Sequence, residues 1–418
     1  MNKLLYILFI SIFLLDYLSL ELGFISRFIT YLPELLSMIT MLIVLARVTV
    51  GLGVNFPPIC VFFMFLFFTN ILIGVVINQV ASGPVIAGIR TYLKFFPFFL
   101  LPFVYSFSNT QIAQQLKLLL LLFAIQAPVA LYQRLIVSGG MVTGDYVKGT
   151  IGGSGQLTVI LVCAIAILLT FYLAKKISLI PFIVIFSLLF MPMTMNETKV
   201  TLILLPMALI LPIYFSSANI NLKQFIPLIV FITLVGIAFV FIYNHFVSSE
   251  SGLGITDFLS GEGRAEYYLY KGTEFGSLEK VGRIDAIIIA YHTLSENILT
   301  LLFGLGMGNV SVSFLPSLSG AYAEKYSDYG VTSGSMTTFL WELGILGIIS
   351  YLLLFFMAFK YSKLLSMQGN YISTFSTGWK TVSILIAIGT TYTTVFSLNS
   401  TSYLYWYFSG YLISENFR

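Results

Sequence analysis

The stretch Phe246–Ser335 reads FVSSESGLGITDFLSGEGRAEYYLYKGTEFGSLEKVGRIDAIIIAYHTLSENILTLLFGLGMGNVSVSFLPSLSGAYAEKYSDYGVTSGS, and it decides the fold. It holds ten of the chain's seventeen carboxylates, at Glu250, Asp257, Glu262, Glu266, Glu274, Glu279, Asp285, Glu296, Glu324 and Asp328. Five cations accompany them: Arg264, Lys271, Lys280, Arg283 and Lys325. A segment this long and this charged cannot cross a bilayer, so it must lie on one side of it. Almost everything around it is hydrocarbon.

Of 418 residues, 58% are hydrophobic and 9% are charged, and the mean hydropathy is +0.96. Soluble domains carry about 25% charged residues, so this chain cannot cover a soluble surface. The sequence predicts an all-α polytopic membrane protein. The formal charge of +4 matters less than its distribution across the bilayer, and no nucleic-acid partner is expected. Cys60 and Cys163 fall inside apolar runs and read as small buried hydrophobes. The apolar run Leu4–Leu15 lacks a small-residue cleavage site before Asp16, which makes it a retained first span.

Spans need about twenty residues. Twelve are expected, at about 4–21, 29–50, 57–78, 88–107, 113–137, 155–174, 177–194, 198–217, 223–246, 336–361, 376–396 and 400–416. The fourth is interrupted by Arg90 and Lys94 and reads as short, tilted or re-entrant. The chain thus divides into 1–247 with nine spans, the loop 248–335, and 336–418 with three spans. One face then receives Lys3, Arg47, Lys117, Lys175, Lys176, Lys223, Lys360, Lys363, Lys380 and Arg418, with Glu415 as its only acid. By the positive-inside rule that face and both termini are cytoplasmic, and the loop is extracytoplasmic. Within the loop Ile284, Ile287, Ile288, Tyr291 and Leu294 share a helical face, which predicts a short interfacial helix from Arg283.

The outer side carries the chemistry-bearing residues. His245 and His292 are far apart, no metal-ligand cluster is visible, and neither a metal nor a cofactor is expected. Gly304-Leu-Gly-Met-Gly308 matches a phosphate loop only superficially, because no strand precedes it. More telling are cations near the span ends: Arg90, Lys94, Arg134, Lys199 and Arg283. They read either as snorkelling anchors or as a cradle for an anionic group such as a diphosphate. Arg264 belongs with them. Glu197, two residues before Lys199, is a candidate general base. Glu342, inside the tenth span, is either a buried packing contact or functional.

Three stretches carry a family resemblance. Asn196-Glu-Thr-Lys-Val-Thr-Leu-Ile-Leu-Leu205 opens a span with Lys199 at its mouth. Val281-Gly-Arg-Ile-Asp285 is followed by Leu294-Ser-Glu-Asn297 and Phe303-Gly-Leu-Gly-Met-Gly-Asn309. Phe339-Leu-Trp-Glu-Leu-Gly-Ile-Leu-Gly347 opens the span after the loop. Together, over about residues 190–350, they resemble the O-antigen polymerase, O-antigen ligase and exopolysaccharide polymerase superfamily. Family members usually carry Ser-Arg at the first site, where this chain has Lys199. Ligases tend to carry a His nine residues before the Glu of the third stretch, where this chain has Ser333, and that departure weighs against a ligase.

The resemblance implies a GT-C-like architecture and a metal-independent glycosyltransferase of the bacterial cytoplasmic (inner) membrane. Its substrate would be an undecaprenyl-diphosphate-linked oligosaccharide, polymerised at the outer face for O-antigen, capsule or exopolysaccharide. Its pathway partners would be a chain-length regulator and a flippase. Arg283 and Lys199 would grip the diphosphate, with Arg264, Arg90, Lys94 and Arg134 contributing and Glu266 on the glycan. Glu197, Asp285, Glu266 or His292 would activate the acceptor hydroxyl, and loop 248–282 would close over the sugars. A transporter of a lipid-linked sugar or small anion is the reading from a different class. It calls for broken helices at the midplane.

Overall fold

The computed structural model describes residues 1–51, 56–138, 145–196, 198–216, 222–246, 255, 266, 269–270, 274–275, 278–279, 281–313, 315–366, 371–396 and 399–418, with backbone only at 222–228 and in the two strands. Its helices are α1 (Asn2–Glu21), α2 (Arg27–Thr49) and α3 (Pro58–Ile77), then α4 (Ser82–Tyr92), α5 (Phe96–Val104) and α6 (Asn109–Val137). Next come α7 (Ser154–Leu173), α8 (Leu179–Met195), α9 (Thr201–Phe215) and α10 (Leu222–Phe246). After the loop's α11 (Arg283–Ser295) and α12 (Ile298–Phe303) follow α13 (Ser335–Leu365), α14 (Tyr371–Tyr392) and α15 (Asn399–Glu415). A minimal antiparallel pairing joins Glu274–Phe275 to Leu278–Glu279, within a part of the loop expected to be irregular.

Every predicted span is helical. Among the described residues seven helices are long and apolar enough to cross a membrane: α1, α2, α3, α6, α7, α10 and α13. The α4–α5 pair, bent by 50°, makes an eighth if it is one span. That bend falls where Arg90 and Lys94 were expected to disturb the fourth span. α8 and α9 are apolar but short, at 17 and 15 residues, and α15 has 17 residues, many of them hydroxyl-bearing. α14 is long enough but rich in hydroxyls (Ser373, Thr374, Ser376, Thr377, Thr381, Ser383). Cys60 and Cys163 are free and buried, as expected.

The chain sorts into two compact units built from interleaved segments. The first contains 1–36, 106–262 and 361–389; the second contains 37–105, 263–360 and 390–418. Each has a buried central helix. In the first it is α7, 78% buried over its apolar window, packed on α8 and α9. Thr158 on α7 receives the Asn196 side-chain amide at 2.9 Å, which fixes the turn that precedes α9.

In the second unit it is α15, buried from Ser400 to Ser414 and packed along α5. Trp406 stacks on Phe95 at 5.3 Å between ring centres, with Phe99 and Tyr351 edge-on to it. Aromatic pairs in such offset and edge geometries each add about 1 kcal/mol beyond their buried area. The helices meet this closely because Gly410 has no side chain. A Cβ there would lie 2.1 Å from the Phe99 carbonyl oxygen. Gly410→Ala is therefore expected to cost about 2 kcal/mol of stability by overpacking, read as a lower melting temperature of the purified protein.

The far end of α5 shows how breaks are satisfied here. Pro102 and the helix end free several carbonyls. Arg47 donates to the Val104 carbonyl at 2.7 Å, and Arg418 to the carbonyls of Pro102 and Tyr105 at 2.6 and 3.0 Å. Cations at a helix C-terminus also oppose its dipole favourably.

A helix forms where the interfacial one was expected, as α11, and the face it buries differs from the one marked by the large apolar residues. Ala286, Ala290 and Leu294 are buried, whereas Ile288 and Tyr291 are exposed. Small residues let α11 approach Leu340 and Trp341 of α13 within one apolar cluster. The large side chains are left outward, as on a helix lying at a membrane surface.

Candidate functional site

The site grows from a break in α13. Gly344 adopts φ 65°, ψ −169° inside the helix, a conformation reserved for glycine. The break stops the carbonyls just before it from finding their usual partners four residues on. The glycine-rich segment after α12 supplies substitutes. Leu305 N–H donates to the Trp341 carbonyl at 2.8 Å and Gly306 N–H to the Glu342 carbonyl at 3.1 Å. Asn70 on α3 donates to the Leu343 carbonyl at 3.0 Å. Asn78, two turns further on, donates to the Gly304 carbonyl at 3.0 Å. Non-helical backbone at membrane depth persists only where protein groups satisfy it in this way.

Glu342 closes the same junction with its side chain and is fully buried. Its Oε2 accepts from the Tyr92 hydroxyl and from the Gly308 N–H, each at 2.8 Å, and its Oε1 accepts from the Ser311 hydroxyl at 2.6 Å. The Val310 backbone adds a further bond. Among the described residues its partners are hydroxyls and loop backbone rather than a cation. The loop is held from within as well, by Asn309, which donates to Leu305 and accepts from Ala321. Two of the stretches that carry the resemblance, Phe303–Asn309 and Phe339–Gly347, are therefore one interlocked piece of structure.

Arg283 is half-buried on the first turn of α11. Its guanidinium donates to the Ser333 carbonyl and lies over the Tyr392 ring, 5.4 Å from the ring centre. Ser333 is also the position where ligases carry their His. The backbone ties the same segments together: Ser335 N–H donates to the Thr393 carbonyl, and the Ser335 hydroxyl accepts from Phe396 N–H. A cation is thus held between the start of α13 and the end of α14, with the hydroxyls of Ser333 and Thr337 beside it. Asp285 shares the first turn of α11 and is half-buried, where a carboxylate suits the positive end of the helix. His292 is exposed and lies about 13 Å along the axis from Arg283, stacked edgewise near Tyr291.

The remaining predicted residues divide as follows. Lys94, at the α4–α5 bend, donates to the Asn399 side chain at 2.6 Å. Arg90 is exposed on the last turn of α4. Glu266 is exposed. Arg134 donates to the Phe246 carbonyl at the end of α10, a helix-capping contact. Lys199 is half-buried in the turn before α9 and belongs to the first unit, whereas Arg283 belongs to the second. Glu197 and Arg264 lie outside the described residues. Among the described residues no group of His, Cys, Asp and Glu could hold a metal ion.

Tyr92, Asn70, Asn78, Ser311 and Tyr392 were not anticipated. Asn70, Gly74 and Asn78 do leave a trace in sequence, as a polar stripe at four-residue spacing on an apolar span. Tyr92 and Ser311 leave none, because their partner Glu342 is 250 and 31 positions away. No family model matches this chain, and no curated protein matches its sequence.

Proposed function

We propose that the protein is a membrane-embedded polysaccharide polymerase that acts on lipid-diphosphate-linked oligosaccharides at the outer face of a bacterial cytoplasmic membrane. One observation carries the reading: the Arg283 guanidinium is fixed in place by the Ser333 carbonyl and the Tyr392 ring. The chemistry needs a rigid cation where a diphosphate leaves, and preorganised charge is worth most in such a site. Arg283 fills that role, with Arg90 and Lys94 of the same unit as further cations. Asp285, two residues from Arg283, is the nearest described carboxylate in sequence to serve as base. Twelve crossings with cytoplasmic termini belong to the same proposal.

A second reading, a transporter of lipid-linked sugar, gains from the two broken helices, α4–α5 and α13, which are features of transporter sites. A deletion strain separates the readings. Surface glycan limited to single repeats is the expected result. Loss of all surface glycan would sink the polymerase and favour the transporter, and full-length polymer stranded on its carrier would indicate a ligase.

A further inference from the structure

A second charged site lies in the first unit, whereas Arg283 belongs to the second. Lys380 on α14 is only 5% exposed. Its ammonium donates to the Ser366 hydroxyl at 3.2 Å and sits over the Phe215 ring at 4.8 Å. Ser366 follows the end of α13 and Phe215 ends α9, so the ends of two helices meet the middle of α14 at this point. Lys363, exposed on the last turn of α13, is close enough for its charge to act on Lys380. Beside Lys380 in sequence, the Thr381 hydroxyl is fully buried and has no hydrogen-bond partner among the described residues.

A buried ammonium is expensive unless a counter-charge meets it. It offers three N–H donors, and among the described residues the hydroxyl and ring use only part of that capacity. No acid can be supplied locally, because the chain has no Asp or Glu between 198 and 249 or between 343 and 414. A second lysine at the mouth makes the missing anion more necessary still. Snorkelling would explain an exposed residue, and Lys363 fits that, but only 5% of Lys380 is exposed.

We infer that Lys380 and Lys363 form an anion-binding site that takes a phosphate group where the ends of α9 and α13 meet α14. The group is either the phosphodiester of an anionic lipid or a soluble phosphate, held by charge-assisted bonds from both amines. This site is independent of the polymerase reading.

The test is thermal unfolding of the purified full-length protein in detergent. Phosphatidylglycerol is compared with phosphatidylcholine, and inorganic phosphate with chloride at equal ionic strength. The expected result is a rise in melting temperature with phosphatidylglycerol, inorganic phosphate or both, with most of that rise lost in Lys380→Met and part of it in Lys363→Gln. A rise with phosphate identifies a soluble source, and a rise with the lipid alone identifies a headgroup. No rise in the wild-type protein, or an undiminished rise in Lys380→Met, overturns the site. If Lys380→Met does not fold, native mass spectrometry decides: equal retention of phosphatidylglycerol by wild type and Lys363→Gln overturns it too.

Discussion

Arg283→Ala is expected to stop chain growth while the protein still inserts and folds. Removing one preorganised electrostatic contact from a developing charge lowers turnover by about 10²–10³. The Arg283 guanidinium also holds the Ser333 carbonyl and covers Tyr392, so part of any loss could be structural. Two comparisons separate the parts. Arg283→Lys keeps the charge but not the fork that contacts two acceptors at once, and it is expected to recover some activity without reaching wild type. Tyr392→Leu removes the ring and leaves the guanidinium free to meet a diphosphate, so it should cost much less than Arg283→Ala. The measurement is the length distribution of polymer made by purified protein from lipid-linked repeats, alongside the melting temperature of each variant. Long polymer from Arg283→Ala at wild-type rate would remove this residue from the mechanism.

Glu342→Ala should have the largest effect on stability. It would strand the Tyr92 and Ser311 hydroxyls and the Gly308 N–H in a buried space with nothing to accept them. Each unsatisfied buried donor costs about 1–3 kcal/mol, so a total of about 3–5 kcal/mol is expected after partial relaxation. Tyr92→Phe alone should cost about 1 kcal/mol, since it deletes one bond and leaves the carboxylate its other donors. The double variant should fall short of the sum of the two, because the residues share one network. Melting temperatures of the four proteins give the cycle directly. An additive result would mean that the Tyr92–Glu342 bond contributes nothing. A mild Glu342→Ala would mean that the glycine loop is held by something else.

Much of the architecture could be read from the chain because hydrocarbon length and charge placement are local properties. Helices lie at each expected position, and the fourth span bends near Arg90 and Lys94, which mark it in sequence. What escaped was non-local. Glu342 announced itself as a costly group in an apolar span, but its partners come from α4 and the loop, and no spacing rule links those segments. Gly344 looks like any packing glycine until its dihedral angles are known. On α11 the period of large apolar residues pointed to one face, yet close approach selected Ala286 and Ala290 instead. Lys380 counted as one more topological cation on the Lys-bearing side; its burial depends on Ser366 and Phe215, which lie 14 and 165 positions away.

The pause in α13 bears on how the protein is made. Its opened carbonyls have no water to turn to inside lipid, and their replacement donors at Leu305 and Gly306 are synthesised about three dozen residues earlier. That earlier strand of backbone must therefore already be waiting at the right depth when the helix is released sideways from the insertion machinery. A ribosome slowed between the two segments would give the pairing time to form. Hastened synthesis should leave a fraction of molecules misthreaded and destined for proteolysis.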